Sequence, residues 1–549
     1  MIPRILLLLA TIWLCDLFGQ TTITLTLDMG PLIEKELFSP DKGERVLVRG
    51  DFNQWQDDNF ELYRNNGSNI FIGAFKLNAT IGDTLEYKFL IQKSAGQIYW
   101  ESRPNPENPN YGNRILVIND TQMSVPVAIF NYDEFIQYPF IFSKEKLQED
   151  FVEMRKAVEE NHPALYDYTD KNTLDSLFDH SYLRINQPLD FNEFYKTGSA
   201  VLARIGCGHT KFWIPNDYWH TVPEKLFPLK LQFSGSKVFV GDFYSSSEQI
   251  PLGSEIISLN GLTLPKIIET LASITSSDGF IRAFKLKSVE RNFAGKYALY
   301  YGYPETFKVR YRAPGESEIK EIDLVPVDYE TINKFPVRGD ELSLKILENN
   351  KTALLTINTF IYYDQLEMFK SFIDSSFQVI RNEKIKNLII DLRGNDGGDP
   401  FCSSYLLSYI ESEPVRYFAE PYDRYTDLAK PIPLADNNFQ GNLYTLIDGN
   451  IFSTSGHFCG LLKYHHISKL VGTETGATYT CTGSVEYVTL KNTRLILGTA
   501  RKRRYTAAVQ NMDPTSGIQP DYWVEQTQSD IIAHKDTVLD FVLEIIDKD

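Results

Sequence analysis

From Thr22 to about Val125 apolar and polar positions alternate, as in "TITLTLDM" and "RVLVRGDF". A period of two predicts short strands buried on one face. Turn clusters such as "RNNGSN" and "NATIGD" separate these runs, so residues 22–125 read as a β-sandwich. The period then lengthens. In "SKEKLQEDFVEMRKAVEENHPALY", Leu147, Phe151, Met154 and Val158 share one helical face, Ser143 stands at the N-cap, and a further helical pattern runs from Phe191 to Ile205. These patterns define a helical region over 140–222. Strands return over 227–335, where "PLGSEIISLNGLTLPKIIETL" reads as strand, turn and helix. From 340 to 549 strands and helices alternate: "TALLTINTF", a helix from Tyr363 to Asn382, the apolar strand "NLIIDL", a Gly-rich turn, another helix and "LYTLID". Strands apolar on both faces belong to a sheet covered by helices. The expected fold is multidomain α+β with a carboxyl-terminal α/β core.

The amino terminus, "MIPRILLLLATIWLCDLFGQ", puts Arg4 ahead of an apolar run from Ile5 to Leu14 and reads as a secretory signal over residues 1–19, cut near Gly19. The chain is expected to be exported, periplasmic or secreted. Acylation at Cys15 is the alternative, but the large Leu14 before it fits a lipoprotein signal poorly. No later segment approaches the ~20 apolar residues of a membrane span. With 549 residues, 43% hydrophobic, the chain can bury several cores. A net charge of -17 argues against nucleic acid as a partner, because phosphate neutralisation needs a basic face and "RKRR" at Arg501 to Arg504 is short. The cysteines after the signal, Cys207, Cys402, Cys459 and Cys481, form no CxxC pair and no zinc spacing. Neither a metal nor an organic cofactor is expected.

Two stretches carry chemistry. "NLIIDLRGNDGGDPF" ends a buried strand in a Gly-rich turn before a helix, which aims backbone N–H groups at an anion. Neither G-x-x-x-x-G-K-[ST] nor G-x-G-x-x-G is present, so an oxyanion hole fits better than a phosphate site. "IFSTSGHFCGLLK" then crowds Ser453, Thr454 and Ser455 at the start of an apolar helix expected to begin near His457. A hydroxyl at a helix start is usually a cap, so Thr454 and Ser455 carry that reading as well.

Taken in order, "TINTF", "LIIDLRGNDGG", "IFSTSGHFCGLLK" and "LVGTETGA", behind a unit similar to a PDZ domain, resemble the S41 serine peptidases. That family includes tail-specific (C-terminal processing) peptidases and the tricorn core, on a ClpP/crotonase-like α/β fold, and it also includes members used for ligand carriage. The resemblance implies Ser453 as nucleophile, with oxyanion donors from the N–H groups of Gly397, Gly398 and Thr454. Tail-specific members use a lysine in a "T-F-G-K-G" context; here that place reads "TETGATYT", without a lysine. Tricorn-like members use a histidine in a "G-H-T" setting, and "ARIGCGHTKFWIP" supplies His209. An imidazole with a pKa near ~6.5 can take the serine proton and return it to the leaving amine. His162 reads as a helix end before Pro163, His457 lies one helical turn past Ser453, and His465 and His466 sit at that helix's end. For the group that orients His209, Asp513 in "NMDPTSGIQPDYW" and Glu474 in "GTETG" are both candidates, and either could be a solvated loop acid. The implied activity is hydrolysis of peptide bonds in peptide or protein substrates.

At the amino terminus "VRGDFNQWQ", "LEYKFLI" and "IYWESRPNPENPNYGNRILVI" resemble the Ig-like early-set glycogen-binding domains of carbohydrate-binding family 48. The resemblance implies a glycan as possible partner, with contacts at Trp55, Lys88, Trp100 and Asn113. The competing reading is a spacer whose tryptophans simply pack the sandwich. The PDZ-like unit carries a similar choice between docking extended peptides on a sheet edge and bracing the core.

Overall fold

A computed structural model describes residues 20–548 apart from 35–36, 57–58, 66, 95, 102–112, 131–140, 216–217, 224, 245–249, 280, 334–340, 348–350 and 502. The expected signal at residues 1–19, with Cys15, lies outside the described residues. The chain divides into two compact units, one of residues 1–138 with 216–221 and one of residues 139–215 with 222–549.

In the first unit, strand Gln20–Asp28 runs antiparallel to Ile70–Asn78 over its whole length, and Arg45–Gly50 runs antiparallel to Thr84–Gln92. Strand Glu61–Arg64 pairs with members of both pairs and so links the described strands of this unit into one hydrogen-bonded sheet. The predicted alternation is visible in burial: Ile23, Leu25 and Leu27 are buried while Thr22, Thr24 and Thr26 are not. With Val46, Val48, Phe71, Phe75 and Phe89 they form this unit's core.

The second unit begins with helices Lys144–Asn161, Lys171–Arg184 and Phe191–Leu202. Ser143 caps the first, its side chain accepting from the Lys146 N–H, and Leu147, Phe151, Met154 and Val158 are all buried. The third helix ends at Leu202, short of the expected Ile205, because the chain turns at Gly206 (φ 74°) into the segment carrying His209. A mainly antiparallel sheet follows, ordered Leu229–Ser234, Lys237–Phe243, Glu255–Leu259, Phe307–Arg312, Lys320–Leu324, with the short Leu262–Thr263 folded back on the third. Helices Leu264–Ser273, Arg282–Arg291 and Phe293–Tyr301 lie between its third and fourth strands in sequence.

The α/β region has parallel strands Thr352–Ile357, Asn387–Asp391, Asn442–Ile447, Lys469–Gly472 and Tyr522–Trp523, with Leu342–Leu347 antiparallel at one edge. Both faces are covered, as the doubly apolar strands require. Leu388 and Ile390 pack with Phe369, Ile373 and Phe377 of helix Leu366–Asn382 and with Phe458 of helix Thr454–Tyr464. Ile389, Tyr444 and Val471 pack on the other side with Val542 of helix Thr537–Lys548. The helix expected from Tyr363 starts at Leu366. The cysteines Cys207, Cys402, Cys459 and Cys481 are all buried and free. Among the described residues no helix is long and apolar enough to cross a membrane.

One buried acid ties the helical region to the turn at Asn492 and Thr493. Asp150, fully buried on the first helix, accepts from the Asn492 and Thr493 N–H groups, the Thr493 hydroxyl and the Asn492 side-chain amide, at 2.7–2.9 Å. Removing a buried acceptor strands its donors without water. Asp150→Ala is therefore expected to lower stability by about 3 kcal/mol in urea unfolding; a loss below about 1 kcal/mol would show that this clip is incidental.

Candidate active site

Strand Asn442–Ile447 delivers the chain into a tight turn, Asp448 to Ser453, and straight into helix Thr454–Tyr464. Ser453 holds φ 56° and ψ −124°, a left-handed backbone that a residue with a Cβ adopts only when its surroundings enforce it. The helix starts three residues earlier than the sequence suggested, because Ser453 itself occupies the N-cap position. Its side chain makes no capping bond and so stays available.

Asn395 is the buried group that enforces the turn. Its side-chain amide donates to Ile357 O at 2.9 Å, its Oδ1 accepts from the Gly397 N–H at 3.0 Å and the Ser455 hydroxyl at 2.7 Å, and its backbone carbonyl accepts from the Phe452 N–H at 3.0 Å. Ser455 is thus neither a cap nor exposed; it is a fully buried brace. Thr454 adds a bond from its hydroxyl to Gly398 O at 2.7 Å. Glycine is required at both positions of the facing loop. A Cβ on Gly397 (φ 101°) would lie 2.7 Å from Phe452 O, and one on Gly398 (φ 140°) 2.1 Å from Phe360 C.

The three expected oxyanion donors are not equivalent. The Gly397 N–H is engaged by Asn395, whereas the Gly398 and Thr454 N–H groups have no hydrogen-bond partner among the described residues. Thr454 follows Ser453 directly, and its hydroxyl bond to Gly398 O ties Gly398 to the turn.

His209 reaches the same point from 244 residues away. It lies between helix Phe191–Leu202 and strand Lys211–Trp213, which is held by antiparallel pairing with Ile496–Ala500. Its Nε2 is 3.2 Å from Ser453 Oγ. The imidazole packs on the Phe452 ring with centroids 4.6 Å apart, and Phe452 in turn packs on Phe284 at 4.8 Å. Gly208 makes room for this stack, since a Cβ there would lie 2.6 Å from Phe452 Cζ. The other contact of Ser453 Oγ is Cys481 Sγ at 4.0 Å. Burial raises that thiol's pKa well above its ordinary value, so it stays protonated.

The remaining histidines are placed otherwise. His457 is buried, its Nε2 donating to Tyr505 O at 3.1 Å, and desolvation lowers its pKa to about 4. His162 caps the first helix and is likewise lowered to about 4 by burial. His465 is the C-cap of helix Thr454–Tyr464 and His466 follows it at φ 56°.

Neither acid expected to orient His209 makes a hydrogen bond to it. Asp513 is exposed and accepts from the Thr515 N–H and the hydroxyls of Thr515 and Ser516. Those bonds hold its carboxyl below the usual range. Glu474 accepts from the Gly517 N–H at 2.9 Å. A different acid, unmarked in the sequence reading, lies beside the histidine: a ring nitrogen of His209, an oxygen of Asp278 and Sγ of Cys207 all fall within 4.8 Å of one another. These three side chains are the one cluster among the described residues with donors spaced for a metal ion. The signal that could have found Asp278 is the run "ITSSDG", a loop of small polar residues directly after an apolar helix.

Trp55 and Trp100 lie outside the first unit's core, half-buried, with ring centroids 6.2 Å apart. Trp55 Nε1 donates to Asp51, and the Arg49 guanidinium lies 5.6 Å from the centre of the Trp100 ring. The Asn113 amide donates to Glu86 at 2.6 Å, and Lys88 lies opposite Arg49 in the strand pairing.

A serine at the strand-to-helix turn of an α/β sheet with a histidine at hydrogen-bond distance is an arrangement that hydrolases working through an acyl-serine use. Residues 351–524 match peptidase family S41, and over that stretch the chain carries a serine-peptidase domain. In fold it is similar to the crystal structure of mature CPAF, with TM-score 0.53 and 15% identity over 74% of this chain and 99% of that one. Mature CPAF complexed with lactacystin gives TM-score 0.51 at 15% identity, over 74% and 100%. No curated protein sequence matches the chain.

Asn395→Ala is expected to cost about 3 kcal/mol of stability, since it leaves the Gly397 N–H, the Ser455 hydroxyl and Ile357 O unpaired in the interior, while Ser455→Ala should cost about 1 kcal/mol and keep most activity. Equal losses for the two variants would contradict the central role given to Asn395.

Proposed function

We propose that the protein is an exported serine endopeptidase or tail-processing peptidase that cuts extended peptides through Ser453 and His209. The observation that carries this reading is the 3.2 Å separation of Ser453 Oγ and His209 Nε2. His209 Nε2 takes the hydroxyl proton as Ser453 Oγ attacks the scissile carbonyl. The Gly398 and Thr454 N–H groups receive the charge that develops on the carbonyl oxygen. The imidazolium then protonates the leaving amine, and a water activated by the same nitrogen hydrolyses the acyl-serine. Ser455, the runner-up nucleophile, is disfavoured because it is buried and bonded to Asn395. The PDZ-like reading of residues 227–335 is supported by their antiparallel sheet and adjoining helices, and makes that region the place where extended peptide is delivered.

Members of such a constellation act as a unit. On an unfolded protein such as casein, Ser453→Ala and His209→Ala are each expected to lower kcat by on the order of 10⁴ or more, with little further loss in the double mutant. Full activity in either variant would sink the assignment, and additive losses would mean that the two side chains act separately.

For the amino-terminal unit, a glycan-contacting surface is favoured by one observation: Trp55 and Trp100 are near each other and outside the core. The competing reading remains a spacer. Retention of the chain on amylose or glycogen that is lost in Trp55→Ala/Trp100→Ala supports sugar binding. No retention of the wild type leaves the spacer.

A further inference from the structure

Three atoms around His209 stand without a partner that burial demands. His209 Nδ1 is buried and makes no hydrogen bond, although a neutral imidazole that accepts at Nε2 carries its proton on Nδ1. Asp278 Oδ2 is also buried without a partner. His162 Nε2 is the third, and it borders the same small cavity as Asp278.

The backbone brings the first two together. Asp278 Oδ1 accepts from the Gly208 N–H at 2.8 Å, one residue before His209, and the Gly279 N–H donates to Gly206 O at 2.9 Å. The loop Thr275 to Asp278 is buried throughout. A carboxylate kept in such a place with a single hydrogen bond is costly for stability, and groups of that kind recur where function needs them.

Building on the reading of His209 as the base, we propose that Asp278 is its positioning residue: the Asp278 carboxylate receives the His209 Nδ1 proton in a hydrogen bond, fixes the tautomer that leaves Nε2 free for Ser453, and stabilises the imidazolium formed during attack. The Ser453 proton goes to Nε2, the Nδ1 proton stays on His209, and Asp278 remains ionised. No hydrogen bond yet joins the two groups, and catalytic contacts are often long until substrate tightens the site. Cys207 is the competitor for Nδ1, but its thiol is already paired with the Thr482 hydroxyl at 2.9 Å. Asp513 is engaged within its own loop, and Glu474 accepts from the Gly517 N–H.

The electrostatics around Asp278 set the pH behaviour. Burial pushes its carboxyl up from 3.8 to about 6, opposed by the Gly208 N–H and by the charges of Arg504, Lys211 and His162. The thiols of Cys207 and Cys481 and the Tyr168 phenol border the same cavity. Because the folded pKa lies above the unfolded one, the folded state holds a proton that the unfolded chain has released. The stability cost is absent below about 4, grows as pH rises, and is complete above about 6.

The test is Asp278→Asn in the full chain, whose amide oxygen can still accept from the Gly208 N–H. Expected are a loss of roughly 10³–10⁴-fold in kcat with KM little changed, an acid limb of kcat/KM displaced to lower pH, and an unfolding midpoint above the wild type's at pH 8 but not at pH 4. Histidine side-chain NMR gives a readout that needs no turnover. In Ser453→Ala the Nδ1 proton of His209 should appear as a far-downfield resonance, absent from Ser453→Ala/Asp278→Asn. A downfield proton unaffected by Asp278→Asn, or one abolished instead by Asp513→Asn or Glu474→Gln, would overturn the proposal. Should Asp278→Asn not fold, the Ser453→Ala chain still decides, since absence of that resonance at every pH contradicts the pair. If the resonance depends on Asp278 but Ser453→Ala keeps full peptidase activity, the pair stands and the peptidase assignment to Ser453 fails.

Discussion

The backbone of Ser453, held at φ 56° and ψ −124°, is the constraint on which the site depends. A residue with a Cβ costs about 1–3 kcal/mol in such a region, and persists there only if neighbours over-determine it. Here they do so from several directions. Asn395 bonds the residues on both sides of the serine through Phe452 and Ser455, Thr454 is tied to Gly398, and the strand before the turn is locked in a parallel sheet. The strained turn points Oγ out of the helix start, where a relaxed cap would have folded it back onto the helix's own N–H groups. That one displacement leaves both the hydroxyl and the Thr454 N–H unspent.

The histidine is brought to this point by packing of a different kind. Its segment hangs between the third helix of the second unit and a short strand paired with Ile496–Ala500, and Asp150 clips the first helix to the turn preceding that same strand. The Phe452 ring, immediately before Ser453, is also the surface on which the imidazole lies. Ser453 and His209 are therefore registered through one aromatic contact, and Gly208 is needed so that the contact can close.

Much of this was legible in the sequence because it follows from local rules. The alternation at Ile23, Leu25 and Leu27, the helical face of Leu147, Phe151, Met154 and Val158, the Ser143 cap and the doubly apolar strand at Leu388 to Ile390 all need only periodicity and capping chemistry. Other features were not legible, for physical reasons. The helix after Ser453 starts at Thr454 rather than near His457, because the cap position is taken by a strained residue and propensity assumes relaxed ones. Gly397 looked equivalent to Gly398 as an N–H donor, until Asn395 folded back onto it. Asp278 carried no mark at all: a short acid among serines and a glycine has the composition of a solvated turn, and only tertiary burial makes it unusual. The resemblance to S41 peptidases named the serine and histidine, and it left the orienting acid open.

The central claim is that Ser453 is the nucleophile and is activated by His209. It is tested most directly by labelling the whole chain with a fluorophosphonate probe and mapping the modified peptide. The account predicts a single adduct on Ser453 that forms in the wild type and fails to form when His209 is replaced by alanine. An adduct on Ser455, or labelling of Ser453 that is indifferent to His209, would contradict it.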